Sequence, residues 1–340
     1  MSGGGHQSAR EMPLAAKVAG RRDWLCRATA LAGAVVLFPV HAKAFPYRVG
    51  VITETPGVRH RVVEGLREGL HNLDFIEGRD VVYDMHFTRG RSEAAATAVD
   101  ALTKAGANVI FTCGEGTAVA AKKTTQRIPV VFTQVGDPVT AGLVATLPYP
   151  GGNVTGISGR TPELAPKRLE ILKTLVPDLR RVWFVYDGGD ATDFAALENL
   201  YAPAGRLGLE VLFRPVNSGG QLARALKEVK PGDALFAPSG DALGIPAAVH
   251  EAALESRIPA IFGSSAWVSQ GALASYGPDD RAQGAQAARL VARILRGARP
   301  QDLPVEGVEH IHLALNLKTA SQLGLPVAAR LIFRANVVYR

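Results

Sequence analysis

The chain has 340 residues, of which 47% are apolar and 20% are charged, a composition typical of a soluble globular protein rather than a disordered one. Its formal net charge is +7, but the first 44 residues carry six Lys or Arg against two acidic residues, which leaves only +3 on the remainder. That remainder has no basic stripe, so we exclude a nucleic-acid-binding protein. The length allows two domains with separate cores.

The first 44 residues predict an export signal. Arg21-Arg22 precedes the apolar stretch Ala28–Val40, which at 13 residues is too short to span a bilayer comfortably. Ala42-Lys43-Ala44 then gives the small-x-small pattern of a cleavage site. We expect cleavage after Ala44 and a periplasmic protein that begins at Phe45, exported by the general or the twin-arginine route. Retention of the segment as a short membrane anchor is the alternative.

Strand-like and helix-like segments alternate along the rest of the chain. The first half is predicted to contain strand Tyr47–Ile52, a helix through Val62–Leu73, strand Val81–Phe87, helix Ser92–Ala105, strand Asn108–Thr112, helix Thr117–Thr125 and strand Ile128–Gln134. The second half is predicted to contain a helix through Lys167–Val176, strand Arg181–Tyr186, helix Phe194–Gly205, strand Leu209–Arg214, helix Gln221–Val229, strand Asp233–Ala237, helix Pro246–Glu255 and strand Ile258–Gly263. Strands joined by amphipathic helices predict parallel sheets in an α/β fold.

Two local patterns refine the second half. In the helix through Lys167–Val176, Leu169 and Leu172 lie on the apolar face, whereas Arg168 is predicted to face water with the other charged residues. Ser218, with Gln221 three residues later, predicts a capping box at the start of helix Gln221–Val229.

In open α/β sheets, ligands bind in the loops just beyond the carboxyl ends of strands. In the first half these loops carry Thr53, Glu54, Thr55, Gly114, Glu115, Gly116, Thr117 and Asp137. In the second half they carry Asp187, Ser239, Asp241 and Ser264. Hydroxyl groups and helix N-terminal amides suit a carboxylate, and Asp or Glu suits an ammonium group, so these loops predict a site for a small zwitterion. The alternative is that the same residues are helix caps and turns.

Asp137 is the candidate that the local sequence places most specifically. It follows the apolar strand Ile128–Gln134 and Gly136, and it precedes Pro138, which cannot continue a strand ladder. We expect its carboxylate to face the cleft and to accept an ammonium or hydroxyl group. The alternative is that it caps a helix beginning near Val139.

Patterns for catalysis and metal binding are weak. Gly114-Glu115-Gly116 and Asp137 imitate a dinucleotide fingerprint, which makes an exported nucleotide-dependent oxidoreductase the alternative function, but Val119 occupies the third glycine position. His310 and His312 alternate on an expected strand without a third ligand, and Cys113 is expected to be a small apolar residue of a buried strand. We expect no catalytic site, no metal and no cofactor.

Six segments in order resemble one family of bacterial ABC-transporter substrate-binding proteins, which includes aromatic-amino-acid binders. They are Gly65–Gly78, Ile128–Ser158, Lys167–Asp178, Ser275–Asp279, Ile294–Pro304 and Asn316–Leu325. The resemblance implies two Rossmann-like lobes of the type I periplasmic-binding-protein kind, joined by a hinge of three crossings. Lobe one would comprise 45–156 plus 276–304, and lobe two 157–275 plus 305–340.

The resemblance also implies a function. The protein would be a monomeric receptor that captures a small organic solute, either an amino acid or an aromatic or organic acid, and delivers it to an ABC permease in the inner membrane. A sensory receptor subunit with the same fold is the alternative. Two loops depart from the family pattern, since Glu115-Gly116-Thr117 replaces a usual Thr-Pro and Asp187–Asp190 replaces an Asn/Pro-rich turn. Aromatic specificity is therefore not carried over, and Glu115 either favours a cationic group or faces solvent.

Overall fold

The computed structural model describes residues 46–54, 60–89, 91–239 and 244–340. The predicted export signal with its cleavage site, and the candidate residues Thr55 and Asp241, lie outside these ranges. None of the helices in the described ranges is both long and apolar enough to cross a bilayer.

The first sheet contains six parallel strands and forms the centre of lobe one. These strands are β1 (Tyr47–Thr53), β2 (Val81–Phe87), β3 (Val109–Cys113), β4 (Val130–Val135), β5 (Val154–Ser158) and β11 (Glu306–Gly307). Their order across the sheet is β11-β5-β4-β3-β1-β2, and each neighbouring pair is parallel. The helices of this lobe are α1 (His60–Asn72), α2 (Ser92–Lys104), α3 (Glu115–Thr124) and α10 (Asp280–Leu295).

The second sheet contains seven strands and forms the centre of lobe two. These strands are β6 (Arg181–Asp187), β7 (Glu210–Val216), β8 (Ala234–Phe236), β9 (Ala260–Phe262), β10 (Ala274–Pro278), β12 (Ile311–Asn316) and β13 (Val337–Tyr339), in the order β13-β12-β10-β9-β8-β6-β7. The helices are α4 (Thr161–Leu175), α5 (Ala191–Glu198), α6 (Tyr201–Arg206), α7 (Gly219–Lys227), α8 (Ile245–Ser256), α9 (Ser265–Ser269), α11 (Leu317–Gln322) and α12 (Ala329–Arg334). The sheet is mixed, because β10 and β12 pair antiparallel.

Both faces of each sheet are covered, which explains why the strands are apolar on both sides. In lobe one, successive residues of β1 point to opposite faces of the sheet. Val51 packs in the apolar cluster beneath α1 and α10, and Ile52 packs in the cluster beneath α2 and α3. Helices α1 and α10 approach closely at Gly65 and Gly284, where an added β-carbon would overlap the backbone of the facing helix. This contact holds α10 on lobe one although it follows a strand of lobe two.

The chain passes between the sheets three times: after β5, after β10 and after β11. β5 ends at Ser158, β10 ends at Pro278 and β11 ends at Gly307, so each strand ends two or three residues beyond the corresponding boundary expected from the sequence. The buried Gln286 of α10 fixes the chain at the third passage. Its Nε2 donates to Glu306 Oε2 and to the Gly307 carbonyl oxygen, and its Oε1 accepts from the Glu309 amide.

The predicted strands of both halves are confirmed to within about two residues at each end, whereas one predicted helix is wrong in form. Helix Phe194–Gly205 is two helices, α5 and α6, separated at Asn199 and Leu200. Pro203 explains the break, since proline lacks an amide donor and is tolerated in the first turn of a new helix but not in the middle of a continuous one. Ser218 caps α7 by accepting from the Gln221 amide, but Gln221 Oε1 accepts from Asn217, one residue earlier than in a capping box.

Candidate functional site

Loops from both sheets meet at one cleft, and a hydrogen bond crosses it. Glu115 is the first residue of α3 in lobe one, and Thr192 lies in the first turn of α5 in lobe two. The Thr192 hydroxyl donates to Glu115 Oε2 at 2.6 Å. Gly136, just beyond β4, lies against the side chains of Thr192 and Thr161, so the lobes also touch there. The cleft is therefore bounded by the carboxyl ends of β3, β4 and β6.

Acidic side chains from both lobes surround this contact. Glu54, Glu115 and Asp137 belong to lobe one, and Asp190 and Asp193 belong to lobe two. Burial raises the pKa of Glu115 to about 7, and the neighbouring charges of Asp190, Asp137 and Glu54 add to the rise, while the hydrogen bond from Thr192 opposes it. The site thus holds a carboxyl group whose charge is poorly compensated.

The same effect raises the pKa of two carboxyl groups at the N-terminus of α5. Asp190 caps this helix by accepting from the Asp193 amide at 3.0 Å, and burial raises its pKa. The Asp193 side chain is 2% exposed, and its Oδ1 accepts from the Ser239 amide at 3.2 Å. Burial raises the pKa of Asp193 well above its ordinary value, and the charge of Asp190 raises it further. Two buried carboxyl groups therefore lie within one helical turn, and the negative charge of each is poorly stabilised.

A cation near this group is buried in lobe two. Arg168 of α4 is 1% exposed; its Nε donates to the Tyr276 carbonyl oxygen at 3.1 Å, and its guanidinium lies 5.3 Å from the ring centre of Phe236. Burial lowers the pKa of Arg168 to about 10, and the charge of Asp193 opposes this. The prediction that Arg168 faces water is wrong, because its position on α4 turns it toward the carboxyl ends of β8 and β10, where the Tyr276 carbonyl oxygen accepts from it and the ring of Phe236 faces its guanidinium.

The hinge contributes a third element of the site. Asp280, the first residue of α10, accepts from Gln134 Nε2 of lobe one at 3.0 Å and from the Ser264 hydroxyl of lobe two at 2.9 Å. Gln134 has a left-handed backbone (φ 57°), which costs energy in a residue other than glycine, and β4 is irregular at this point. Its buried Oε1 has no hydrogen-bond partner among the described residues.

Several predicted site residues use their polar atoms within their own loop. Asp137 Oδ1 accepts from the amides of Val139 and Thr140, and Oδ2 accepts from the Thr140 hydroxyl, so Asp137 caps a turn and not the helix expected near Val139. Asp187 Oδ1 accepts from the Gly189 amide. Thr117 is buried and donates back to the Cys113 and Gly114 carbonyl oxygens. These groups shape the loops around the cleft.

The remaining candidates are distributed as follows. Thr53 and Glu54, at the end of β1, are buried, and Glu54 lies beside Gly116. Gly114 precedes α3 with φ 107°, a conformation that glycine adopts without strain. Ser264 caps α9 and also bonds Asp280. Ser239 lies between Asp193 and Arg168: its amide donates to Asp193, and its hydroxyl oxygen lies 3.5 Å from Arg168 Nη1.

Six residues of the site were not among the candidates: Gln134, Arg168, Asp190, Thr192, Asp193 and Asp280. Asp190-x-x-Asp193, just after a predicted strand, is a signal that could have identified these two acidic residues, because an acidic residue at a helix N-terminus beyond a strand points into a cleft. No comparable signal exists for Arg168, whose burial depends on how α4 packs on the second sheet.

Neither His310 nor His312 belongs to a group that could hold a metal ion in the part of the chain that the structure describes. His312 Nδ1 lies 2.8 Å from Asp279 Oδ2 at the second passage between the lobes. Within the described ranges, no group of three or more His, Cys, Asp or Glu side chains could hold a metal ion.

Comparisons with known proteins agree with this architecture. The tyrosine-binding protein of Clostridioides difficile is 26% identical over 280 residues, which is 82% of this chain and 80% of that protein. The crystal structure of a conserved domain protein from Vibrio cholerae is 27% identical with a TM-score of 0.79, covering 86% of this chain and 100% of that chain. An ABC domain from Streptococcus pneumoniae in complex with L-Trp is 25% identical with a TM-score of 0.79, at the same coverage.

These similarities confirm the predicted two-lobed α/β fold of the type I periplasmic-binding-protein kind. The family model for ABC transporter substrate binding proteins matches residues 48–339. Members of this family bind solutes and are not enzymes, so the oxidoreductase alternative is wrong. The chain belongs to the family of ABC transporter substrate-binding proteins.

Proposed function

We propose that this protein captures an amino acid between its two lobes, with the ammonium group of the solute held by the carboxylates of α5 and α3, and delivers it to an ABC permease. The observation that carries this proposal is the meeting of acidic side chains from both lobes around the Glu115–Thr192 hydrogen bond. The relative that binds tyrosine and the neighbour solved with L-Trp support an amino acid as the solute class.

We place the ammonium group of the solute beside Asp193. This carboxyl group is buried and its pKa is raised, which means that its charged form lacks compensation in the solute-free protein. A solute ammonium would supply that compensation with a charge-assisted hydrogen bond. The buried Gln134 Oε1, which lacks a partner among the described residues, offers a further acceptor at the edge of the cleft.

A panel of solutes tests the proposal. We would titrate the protein calorimetrically with L-tyrosine, L-tryptophan, L-phenylalanine and L-lysine, and with N-acetyl-L-tyrosine and N-acetyl-L-tryptophan, which lack the ammonium group. We expect at least one free amino acid to bind and its acetylated form to bind far more weakly. Binding of none of the free amino acids, or equal binding of free and acetylated forms, would refute an ammonium-binding cleft.

A matched pair of variants locates the ammonium site. Asp193→Asn keeps the shape and an acceptor for the Ser239 amide but removes the charge, and loss of a charge-assisted bond at a buried site costs about 2–5 kcal/mol of binding. The affinity should therefore fall by roughly one and a half to three and a half decades. Asp178→Asn is the control, since Asp178 is exposed between α4 and β6, away from the cleft. Equal affinities of the two variants would remove Asp193 from the site.

Export to the periplasm is part of the proposed function. We propose that the signal is cleaved after Ala44, which frees the receptor from the membrane so that it can meet a permease. N-terminal sequencing of the periplasmic protein should begin at Phe45. A sequence that still contains Trp24 would instead establish the membrane-anchor alternative.

A further inference from the structure

We propose that closure of the two lobes is linked to the uptake of a proton at Glu115, so that acidification favours the closed form of the solute-free protein. This inference rests on the proposed function, because it takes the contact between the lobes as the closed state of a solute receptor. It concerns the regulation of that site and not the identity of the solute.

The hydrogen bond of Glu115 joins the two lobes. Glu115 belongs to α3 of lobe one, and the Thr192 hydroxyl that donates to it belongs to α5 of lobe two. Separation of the lobes must break this bond and admit water to the carboxyl group. Glu115 is thus a group whose surroundings change with the opening and closing of the cleft.

Among the described residues, the charges that raise the pKa of Glu115 are acidic. In its own lobe these are Glu54, which follows β1, and Asp137, which follows β4; from the other lobe they are Asp190 and Asp193 at the N-terminus of α5. Opening would remove Asp190 and Asp193 from Glu115, whereas Glu54 and Asp137 would stay beside it. Closing therefore adds both desolvation and repulsion to the charged form of Glu115.

The sign of the pH dependence follows from these two effects. With the lobes in contact, burial and the acidic neighbours raise the pKa of Glu115 to about 7. In an open cleft the carboxyl group is hydrated, and its pKa returns toward the ordinary glutamate value of about 4.3. Between these values the closed form holds more protons than the open form, so the closed-to-open ratio rises by up to about tenfold for each unit that the pH falls.

Small-angle X-ray scattering of the solute-free protein tests the proposal. We would measure the radius of gyration at about pH 5.5 and about pH 8.5, on either side of the Glu115 pKa. The wild type should be more compact at the lower pH. Glu115→Gln, which is permanently neutral, should be compact at both values, and Glu251→Gln, at an exposed position of α8, should respond as the wild type does.

Thr192→Val provides a second, independent variant. The Thr192 hydrogen bond favours the charged form of Glu115 in the closed cleft, so its loss should weaken closure most at high pH, and the variant should be less compact than the wild type at about pH 8.5. Glu115→Gln leaves the pair of His312 and Asp279 at the hinge intact. A pH response that persists in Glu115→Gln would therefore assign the effect elsewhere and overturn the proposal.

The other outcomes are equally distinct. A wild-type radius of gyration that does not change with pH would overturn the proton linkage. If an amino acid still compacts the protein in that case, the proposed function stands while this inference fails. If the solute-free protein responds to pH as expected but none of the free amino acids in the panel binds, the linkage stands and the solute class is wrong.

Discussion

Gly136 of lobe one packs directly against the γ-methyl group of Thr192 of lobe two, and a β-carbon at position 136 would overlap that methyl group. The hydroxyl of the same Thr192 donates to Glu115. One threonine therefore makes both an apolar and a polar contact with the opposite lobe. The need for glycine at position 136 arises from this close approach, because its backbone does not adopt a left-handed conformation.

Gly136→Ala should prevent full closure. The added methyl group fits the backbone of Gly136 but not the space beside Thr192, so the closed form should become less populated and the apparent solute affinity should fall by about tenfold or more. Calorimetry with a solute that binds the wild type measures this loss, and the melting temperature of the solute-free protein should change little. Gly205→Ala is the control, because nothing lies within 4 Å of a β-carbon added there. Unchanged affinity in Gly136→Ala would show that the lobes do not need to touch at this point.

Asp137→Asn should have a small effect on binding. Both carboxylate oxygens of Asp137 accept hydrogen bonds from Val139 and Thr140 of its own turn, and Asn caps such turns nearly as well as Asp. We expect an affinity within about threefold of the wild type, whereas Asp137→Ala should cost about 1 kcal/mol of stability through the lost cap. Calorimetry and thermal melting of both variants separate binding from stability. A tenfold or greater loss of affinity in Asp137→Asn alone would return Asp137 to the set of solute-binding residues.

The sequence predicts the outline of the cleft because strand ends are local features. Apolar β-branched runs such as that of β4 mark buried parallel strands, and polar residues just beyond them must converge at one edge of a sheet. Glu115 could be placed at the cleft in this way. Its partner could not, because Thr192 lies 77 residues away and belongs to the other lobe. A contact between lobes depends on how the two bodies dock, and no local pattern encodes that.

Arg168 shows the second limit of prediction from sequence. Its neighbours Leu169 and Leu172 are buried as predicted, but so is Arg168 itself, since α4 packs against the central strands β9 and β10 with more than one face. Helical periodicity distinguishes apolar from polar positions; it does not reveal a buried guanidinium that a carbonyl oxygen and an aromatic ring stabilise. Burial of charge is therefore a property of the tertiary packing here.

Arg168→Met should change the pH dependence of solute binding. The positive charge of Arg168 favours the charged form of Asp193, so its removal should raise the already elevated pKa of that carboxyl group. If charged Asp193 holds the ammonium group, the affinity should decline at a higher pH than in the wild type as the solution is acidified. Calorimetric titrations across the pH range measure this shift. Arg168→Lys, which retains a positive charge, is the control and should keep a pH profile closer to that of the wild type. Identical pH profiles for Arg168→Met and the wild type would show that Arg168 does not act on the ammonium site.

Asp233 should determine part of the acid stability of lobe two. This carboxylate is buried and accepts from Arg181 Nε at 2.8 Å, from Trp183 Nε1 at 2.9 Å and from the Lys230 amide at 3.0 Å. Burial alone would raise its pKa, but the hydrogen bonds from Lys230, Trp183 and Arg181 together outweigh burial, and the pKa is lowered. A carboxyl group with a lowered pKa in the folded state contributes stability that is fully present above its unfolded value of about 3.9 and is lost as the pH falls through the folded value. The loss should therefore appear below about pH 4.

Asp233→Asn removes this contribution at every pH. The amide cannot accept from both Arg181 and Trp183, so the buried Trp183 Nε1 or one of its neighbours loses its partner, which typically costs about 1–3 kcal/mol. Urea unfolding at neutral pH should show that loss, and the difference between wild type and variant should shrink as the pH is lowered below about 4, because the wild type loses the same interaction there. The exposed Asp178→Asn should match the wild type under both conditions. A difference between wild type and Asp233→Asn that stays constant down to acid pH would show that the charge of Asp233 contributes nothing and that its role is one of shape alone.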